Sequence, residues 1–216
     1  MPDIGAFHVA PEIASIVRPG VLWWAGATIV DHAAVLDALL ADTEAAVRAR
    51  PPQETAAVRA MYRRVGLDPT KTRPSNEALL RRIVKGGTIP RINSMVDVIN
   101  WCSVEFQLPY GLYDRAHLNG AVTLRLGRDA EEYAGIRKDT VHVTGRITVA
   151  DDVGPFGNPT SDSARTMVTT ATRDALVVVY APAATSGHDL ERVLRVTAGR
   201  LADVCGGQET FAGGVA

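Results

Sequence analysis

The chain has 216 residues, 46% of them hydrophobic and 22% charged, with a formal net charge of −1. That size and composition allow a core to form without metals or disulfides, and two cysteines, Cys102 and Cys205, are too few for a disulfide framework or a zinc site. No apolar run is long enough to cross a bilayer, and Met1-Pro2-Asp3-Ile4 lacks the basic and apolar stretches of a secretory signal. A cytoplasmic protein with no membrane partner is expected.

Taken in chain order, residues 21–30 (VLWWAGATIV) read as a buried strand. Asp31 is a candidate cap for a helix reaching Arg50, in which Val35, Leu36, Leu39, Leu40 and Val47 recur at helical spacing. Pro51-Pro52 stop it. A second helix is expected over residues 54–64, then a loop, GLDPTKTRP, over residues 66–74. Ser75 is expected to cap the next helix, with Glu77 completing the cap, and Gly86-Gly87 to end it. A further helix follows Pro90, capped by Asn93 or Ser94, with Met95, Val96, Ile99, Cys102 and Phe106 in helical period.

After Pro109 the texture turns to strands: residues 121–126, 141–149 and 176–180 (LVVVY). Residues 151–163 read as a Gly/Pro-rich loop, residues 187–204 as an amphipathic helix and residues 206–216 as a flexible tail. Residues 1–52 are expected to pack as a strand and helix on a core domain spanning residues 53–205. Helices followed mostly by strands indicate an α+β or mixed layered fold.

Charge is unevenly spread. Residues 59–91 hold nine basic side chains against Asp68 and Glu77, a local balance of +7 in a chain of net −1. Such a segment is either a phosphate-binding surface or a set of solvated helix faces. The candidates for RNA contact are Arg63, Lys71, Arg73, Arg81 and Arg82. A near-neutral chain argues against general nucleic-acid binding, and DNA is not an expected partner.

Standard signatures of chemistry are missing. There is no GxxxxGK[ST] loop, no GxGxxG after a strand, no HExxH and no GxSxG. The five histidines, His8, His32, His117, His142 and His188, are scattered, so no metal or other cofactor is expected.

Polar side chains supply the candidate site. Asn93, Asp97 and Asn100 stand at i, i+4 and i+7, on one helical face suited to an amino group and a ribose hydroxyl. The same residues serve equally as a cap and as pins for a neighbouring loop. Asp162-Ser163-Ala164-Arg165-Thr166 can present a carboxylate, hydroxyls and a guanidinium together, or form a capped turn with an Asp162–Arg165 pair. Thr169, Thr170 and Thr172 read as strand residues. Tyr110 flanks Gly111, which would permit close approach of a substrate backbone, whereas Tyr113 reads as core and Asp114 as a cap.

Three stretches carry a family resemblance: YRRVGLDPTKTRPSNEALLRR (residues 62–82), PRINSMVDVINWCSVEFQLPYGLYD (residues 90–114) and NPTSDSARTMVTTAT (residues 158–172). Together they resemble the B3/B4 module of the phenylalanyl-tRNA synthetase beta subunit over roughly residues 55–205. In the second stretch Val96-Asp97-Val98-Ile99-Asn100, Glu105, Pro109 and Tyr113-Asp114 keep the spacing of the bacterial pattern VDxTNYVxxExGxPLHAFD. The resemblance implies a mixed, mostly antiparallel sheet flanked by helices. It also implies an editing site that hydrolyses an aminoacyl ester on a mischarged tRNA, with tRNA as partner. Asn100 matches an asparagine of that site. Gly111 stands where the bacterial pattern has its histidine, and Val178 best matches a glutamate. Asn100 and Asp162 are the candidate catalytic residues, and Asn93, Asp97, Tyr110, Gly111, Ser163, Arg165 and Thr166 the candidate substrate contacts. Alternatives are a non-catalytic RNA-binding module and a domain that binds a small, amino-acid-like molecule.

Overall fold

A computed structural model of the protein describes residues 6–52, 56–136 and 140–215. The first third contains β1 (Phe7–Val9), the single turn α1 (Pro11–Ala14), β2 (Val17–Ala25), α2 (Val35–Ala49) and α3 (Ala56–Arg64). Next come α4 (Ser75–Val84), α5 (Ser94–Phe106), β3 (Tyr110–Asp114), a 3-10 turn (Arg115–His117) and β4 (Val122–Leu126). The remainder is β5 (Glu132–Tyr133), β6 (Val141–His142), β7 (Ile147–Asp151), β8 (Gly154–Asn158), β9 (Ser161–Asp162), β10 (Ala175–Pro182), α6 (Gly187–Cys205) and β11 (Gln208–Gly214).

The strands make two principal sheets and a small β5–β6 pair. One sheet has the order β11-β2-β10-β3 and is antiparallel throughout; the other has the order β1-β4-β7-β8-β9, with only β1 and β4 parallel. The fold is α+β with a mostly antiparallel sheet arrangement, as expected.

β10 explains the layering. All eight of its residues are buried, because both faces of the strand are covered. Ala175, Val177, Val179 and Ala181 join Leu22 and Trp24 in a cluster with α2, α4, α5 and α6. Leu176, Val178 and Tyr180 face the other way, onto Val21, Trp23, Tyr113, Val149, Phe156 and the α3 residues Val58, Met61 and Tyr62. The period-2 alternation of a strand thus feeds two apolar cores from one run of eight residues. Cys102 and Cys205 are free, buried thiols, and burial raises both above the ordinary cysteine range.

Several expected boundaries move, for local reasons. β2 runs over residues 17–25 rather than 21–30, because Gly26 turns the chain with φ +74°. The next helix starts at Val35 with Ala34 at the cap position, so Asp31 caps nothing there. The part of the second helix expected over residues 54–55 lies outside the described residues. Ser75 sits inside α4 behind Pro74 and makes no cap bond, while Glu77 accepts from Arg59 Nε and Nη2 at 2.7 and 2.8 Å. The strand expected over residues 141–149 is two, β6 and β7, separated by a turn at Gly145 (φ +67°). The loop expected over residues 151–163 contains the β7–β8 hairpin and β9. Thr169 and Thr172 lie in a turn, not a strand.

The C-terminal segment is the largest departure. Gln208–Gly214, expected as a loose tail, pairs antiparallel with β2 from Ala25 to Gly20, with one bulge between Glu209 and Phe211. Without it, β2 would be an edge with a row of unpaired backbone groups. Small and polar side chains suffice there because the ladder uses the backbone.

Candidate functional site

Asn93 caps α5: its Oδ1 accepts from the Val96 N–H at 3.0 Å, and its Nδ2 donates to the Val168 carbonyl at 3.4 Å. One turn on, Asp97 is fully buried. Its carboxylate accepts from Arg91 Nε at 2.7 Å and from the Ile92 N–H at 2.8 Å. Arg91 in turn reaches Asp37 at 2.6 Å. Asn93 and Asp97, expected at a substrate, are therefore both occupied by holding adjacent loops to the helix.

Asn100, the third member of the stripe, is different. It is half-buried, its side chain makes no hydrogen bond among the described residues, and it lines two adjoining hollows of about 270 and 250 Å³. Both are walled by Ile99, Asn100, Tyr110, Ile136 and Asp162. The fold thus brings the two candidate catalytic residues, from α5 and β9, to one cavity. Leu112, Met167 and Val168 extend it on an apolar side, and Ser103, Asn158 and Thr160 on a polar one. Apolar walls with few convergent polar groups are the usual form of a small-ligand site.

Asp162 dominates the electrostatics of this cavity. Its Oδ1 is buried with no hydrogen-bond partner among the described residues. Loss of hydration pushes its carboxyl up to about 7, against the pull of the Tyr113 hydroxyl and the Leu112 backbone N–H. A carboxyl poised near neutrality can hold or release a proton at working pH. Tyr110 contributes its side chain to the wall but not its hydroxyl, which bonds Thr197 Oγ1 at 3.1 Å.

The remaining predicted contacts are placed elsewhere. Arg165 does not pair with Asp162. It grips Asp151 at 2.9 and 3.0 Å and donates to the His117 carbonyl at 2.7 Å. Ser163 is buried, and its Oγ accepts from the Arg165 N–H at 3.0 Å. Thr166 is buried too, with its backbone carbonyl bonded to the Asp114 N–H at 2.8 Å and its hydroxyl unpartnered among the described residues. Gly111 seats a tyrosine rather than a substrate: a Cβ on Gly111 or on Gly157 would collide with the Tyr113 ring and hydroxyl. Gly111 and Val178 are direct cross-strand partners, and they face the layer between the sheets that Tyr113 and Tyr180 fill, their hydroxyls 2.8 Å apart.

Of the basic residues, Lys71 and Arg73 line a separate recess of about 450 Å³, together with His142 and Arg146. Arg63 lies exposed on α3, and Arg81 and Arg82 lie exposed on α4, where Arg82 Nε donates to the Thr88 carbonyl at 2.8 Å. None of these three lines that recess.

Sequence reasoning missed Asn158, whose Oδ1 accepts from the Thr160 and Ser161 N–H groups at 2.8 and 3.0 Å and whose Nδ2 donates to Tyr133 Oη at 2.8 Å. Asn-Pro at the head of NPTSD was the available signal, since asparagine in that setting shapes a turn. Ile136 and Arg146 carried no signal; only the tertiary fold brings them near Asp162 and Lys71.

Residues 57–194, well over half of the chain, match the B3/4 domain family. The chain belongs to this family. Its B3/4 fold is also similar to a solved N-terminal fragment of the phenylalanyl-tRNA synthetase beta subunit from Pyrococcus horikoshii, with a TM-score of 0.51 and 13% identity. That likeness covers 98% of this chain and 54% of the fragment, so the chain spans about half of the fragment's length. No curated protein matches it. The chain therefore contains a B3/4 domain, in a fold like that of the fragment. None of its described helices is long and apolar enough to cross a membrane. Among the described residues no group of three or more His, Cys, Asp or Glu side chains could hold a metal ion.

Proposed function

We propose that this B3/4 protein hydrolyses the aminoacyl ester of a mischarged tRNA in trans, with the amino acid in the Asn100–Asp162 cavity. The observation that carries this reading is a carboxylate with one buried, unpartnered oxygen, sharing a small cavity with an uncommitted side-chain amide. Asp162 as carboxylate takes a proton from a water, whose oxygen attacks the ester carbonyl. The tetrahedral intermediate expels the ribose oxygen, which receives the proton back from Asp162. Asn100 orients the ester or the α-amino group through its amide. An aminoacyl ester is an activated substrate, so one base and good positioning suffice. Tyr113 and Tyr180 occupy the space beside Gly111 and Val178, so the proposed route uses neither position.

The test is deacylation of a panel of mischarged tRNAs by the purified protein, beginning with tyrosyl-tRNA for phenylalanine. Turnover above the spontaneous rate is expected, falling about a hundredfold or more in Asp162→Asn and clearly in Asn100→Ala. Turnover equal in all three proteins would remove Asp162 and Asn100 from the chemistry. No turnover on any tRNA would favour the second reading, a cavity that binds an amino-acid-like molecule without catalysis. Gly111 and Val178, in place of the bacterial histidine and glutamate, are the observation that keeps that reading in view.

A further inference from the structure

Beside the Asp162 cavity lies a hollow of opposite character. Asn158, Thr160 and Ser161 form a wall common to the cavity and to the 450 Å³ recess. Lys71 and Arg73 enter the recess from the loop after α3, and His142 and Arg146 enter it from β6 and the turn that follows.

Among the described residues, no acidic side chain lines the recess. The Arg146 guanidinium makes no ion pair or hydrogen bond among the described residues, and that of Arg73 makes one long bond, 3.5 Å, to the Thr70 carbonyl. Asp68, the acid near Lys71, has its carboxylate already engaged by the Thr70 N–H at 2.8 Å and the Thr70 hydroxyl at 2.7 Å. Glu132 is taken by His142 at 2.9 Å. Several arginines elsewhere are ion-paired: Arg59 with Glu77, Arg91 with Asp37 and Asp97, Arg125 with Glu131, Arg165 with Asp151. Two arginines and a lysine without such partners, around one concavity, form a site for a multiply charged oxyanion.

We infer that the recess of Lys71, Arg73 and Arg146 holds the backbone phosphates of a single-stranded RNA 3′ end whose terminal ribose reaches the Asp162 cavity. The inference rests on the hydrolase reading for what fills the cavity, but the recess makes its own prediction. Affinity comes from the last few phosphates, and the exposed arginines Arg63, Arg81 and Arg82 are not needed for it. A substrate carrying both an ester and a neighbouring phosphodiester spans the two hollows, and a simple amino-acid ester fills only one.

Two measurements separate the ideas. Binding of a fluorescently labelled ribo-oligonucleotide ending in CCA is followed by anisotropy across a salt series. Two to three neutralised phosphates give a slope of log K against log salt of about −1.4 to −2. Arg146→Ala and Lys71→Ala should each weaken binding roughly tenfold at low salt and flatten the slope by about 0.7. Lys71 is exposed, so its variant is expected to fold as the wild type does. In parallel, hydrolysis of tyrosine methyl ester, which has no phosphate, should proceed equally in the wild type and both variants. Unchanged affinity and slope in both variants would overturn the recess assignment, as would loss in Arg146→Ala alone accompanied by loss of methyl-ester hydrolysis. Absence of methyl-ester hydrolysis in the wild type would count against the hydrolase reading and leave the oligonucleotide result to decide the recess.

Discussion

Arg165 holds Asp151 in a two-pronged grip, at 2.9 and 3.0 Å, and leaves Asp162, three residues before it in the chain, without a cation. Asp151 is fully buried as a side chain and also accepts from the N–H groups of Asn119, Val153 and Gly154. The guanidinium is committed to the β7–β8 hairpin. Asp162 consequently keeps an unsolvated carboxyl with no opposite charge, and its elevated proton affinity follows from that arrangement.

This has a measurable consequence for stability. The Asp162 carboxyl is raised from 3.8 to about 7 on folding, so the folded state binds the proton more tightly than the unfolded state. Its contribution is favourable below pH 4 and is lost as pH rises through 7. The loss is on the order of 4 kcal/mol at most. Asp162→Asn has no carboxyl to ionise. Urea unfolding should therefore show the variant gaining on the wild type from pH 5 to pH 8. Parallel pH profiles for the two proteins would contradict the burial of this carboxyl.

Gly111 and Gly157 clasp one tyrosine. Gly111→Ala should lower stability by about 1–3 kcal/mol, because the added methyl meets the Tyr113 ring in a layer with no room to yield. Tyr113→Phe alone loses the hydroxyl's bonds to Tyr180 and to the Asp162 carboxyl, at about 1 kcal/mol each. Combined, the two should cost less than their sum, since the hydroxyl is the atom nearest the new methyl at Gly111. Thermal melts of the two single variants and the double variant form the cycle. Strict additivity would show that Gly111 is not there to seat Tyr113.

Deleting residues 208–216 should do more than trim an end. β2 would lose its pairing from Gly20 to Ala25 and present an open edge beside Trp23 and Trp24. We expect a lower melting temperature and concentration-dependent association, seen by light scattering. A truncated protein that stays monomeric with unchanged melting would show the strand to be dispensable.

What the sequence disclosed follows physical type. Long periodic elements were legible: α5 with its Asn93 cap, α6, and β10 as an apolar run. Breaks set by single glycines were not, because Gly26 and Gly145 act through backbone angles rather than patterning. At the site, Asn100 and Asp162 were readable as polar residues in a family pattern, and the fold brings them to one cavity. Asp97 and Arg165 looked equally chemical, yet each is consumed by a partner, Arg91 or Asp151, that no local spacing pointed to. The match of an acid to its base across the fold decides which polar side chains remain available, and that match is tertiary information.

The position of β2 bears on what counts as a movable unit. It lies between β11 and β10, so residues 17–25 and 208–214 flank the central strand of the segment that carries the family match, residues 57–194. Cutting to the matched boundaries would bare one long side of β10 and take Leu22 and Trp24 out of one core and Val21 and Trp23 out of the other. A gene fusion that transplanted this fold would have to carry both pieces, one from each end of the sequence, to rebuild the sheet beside β10.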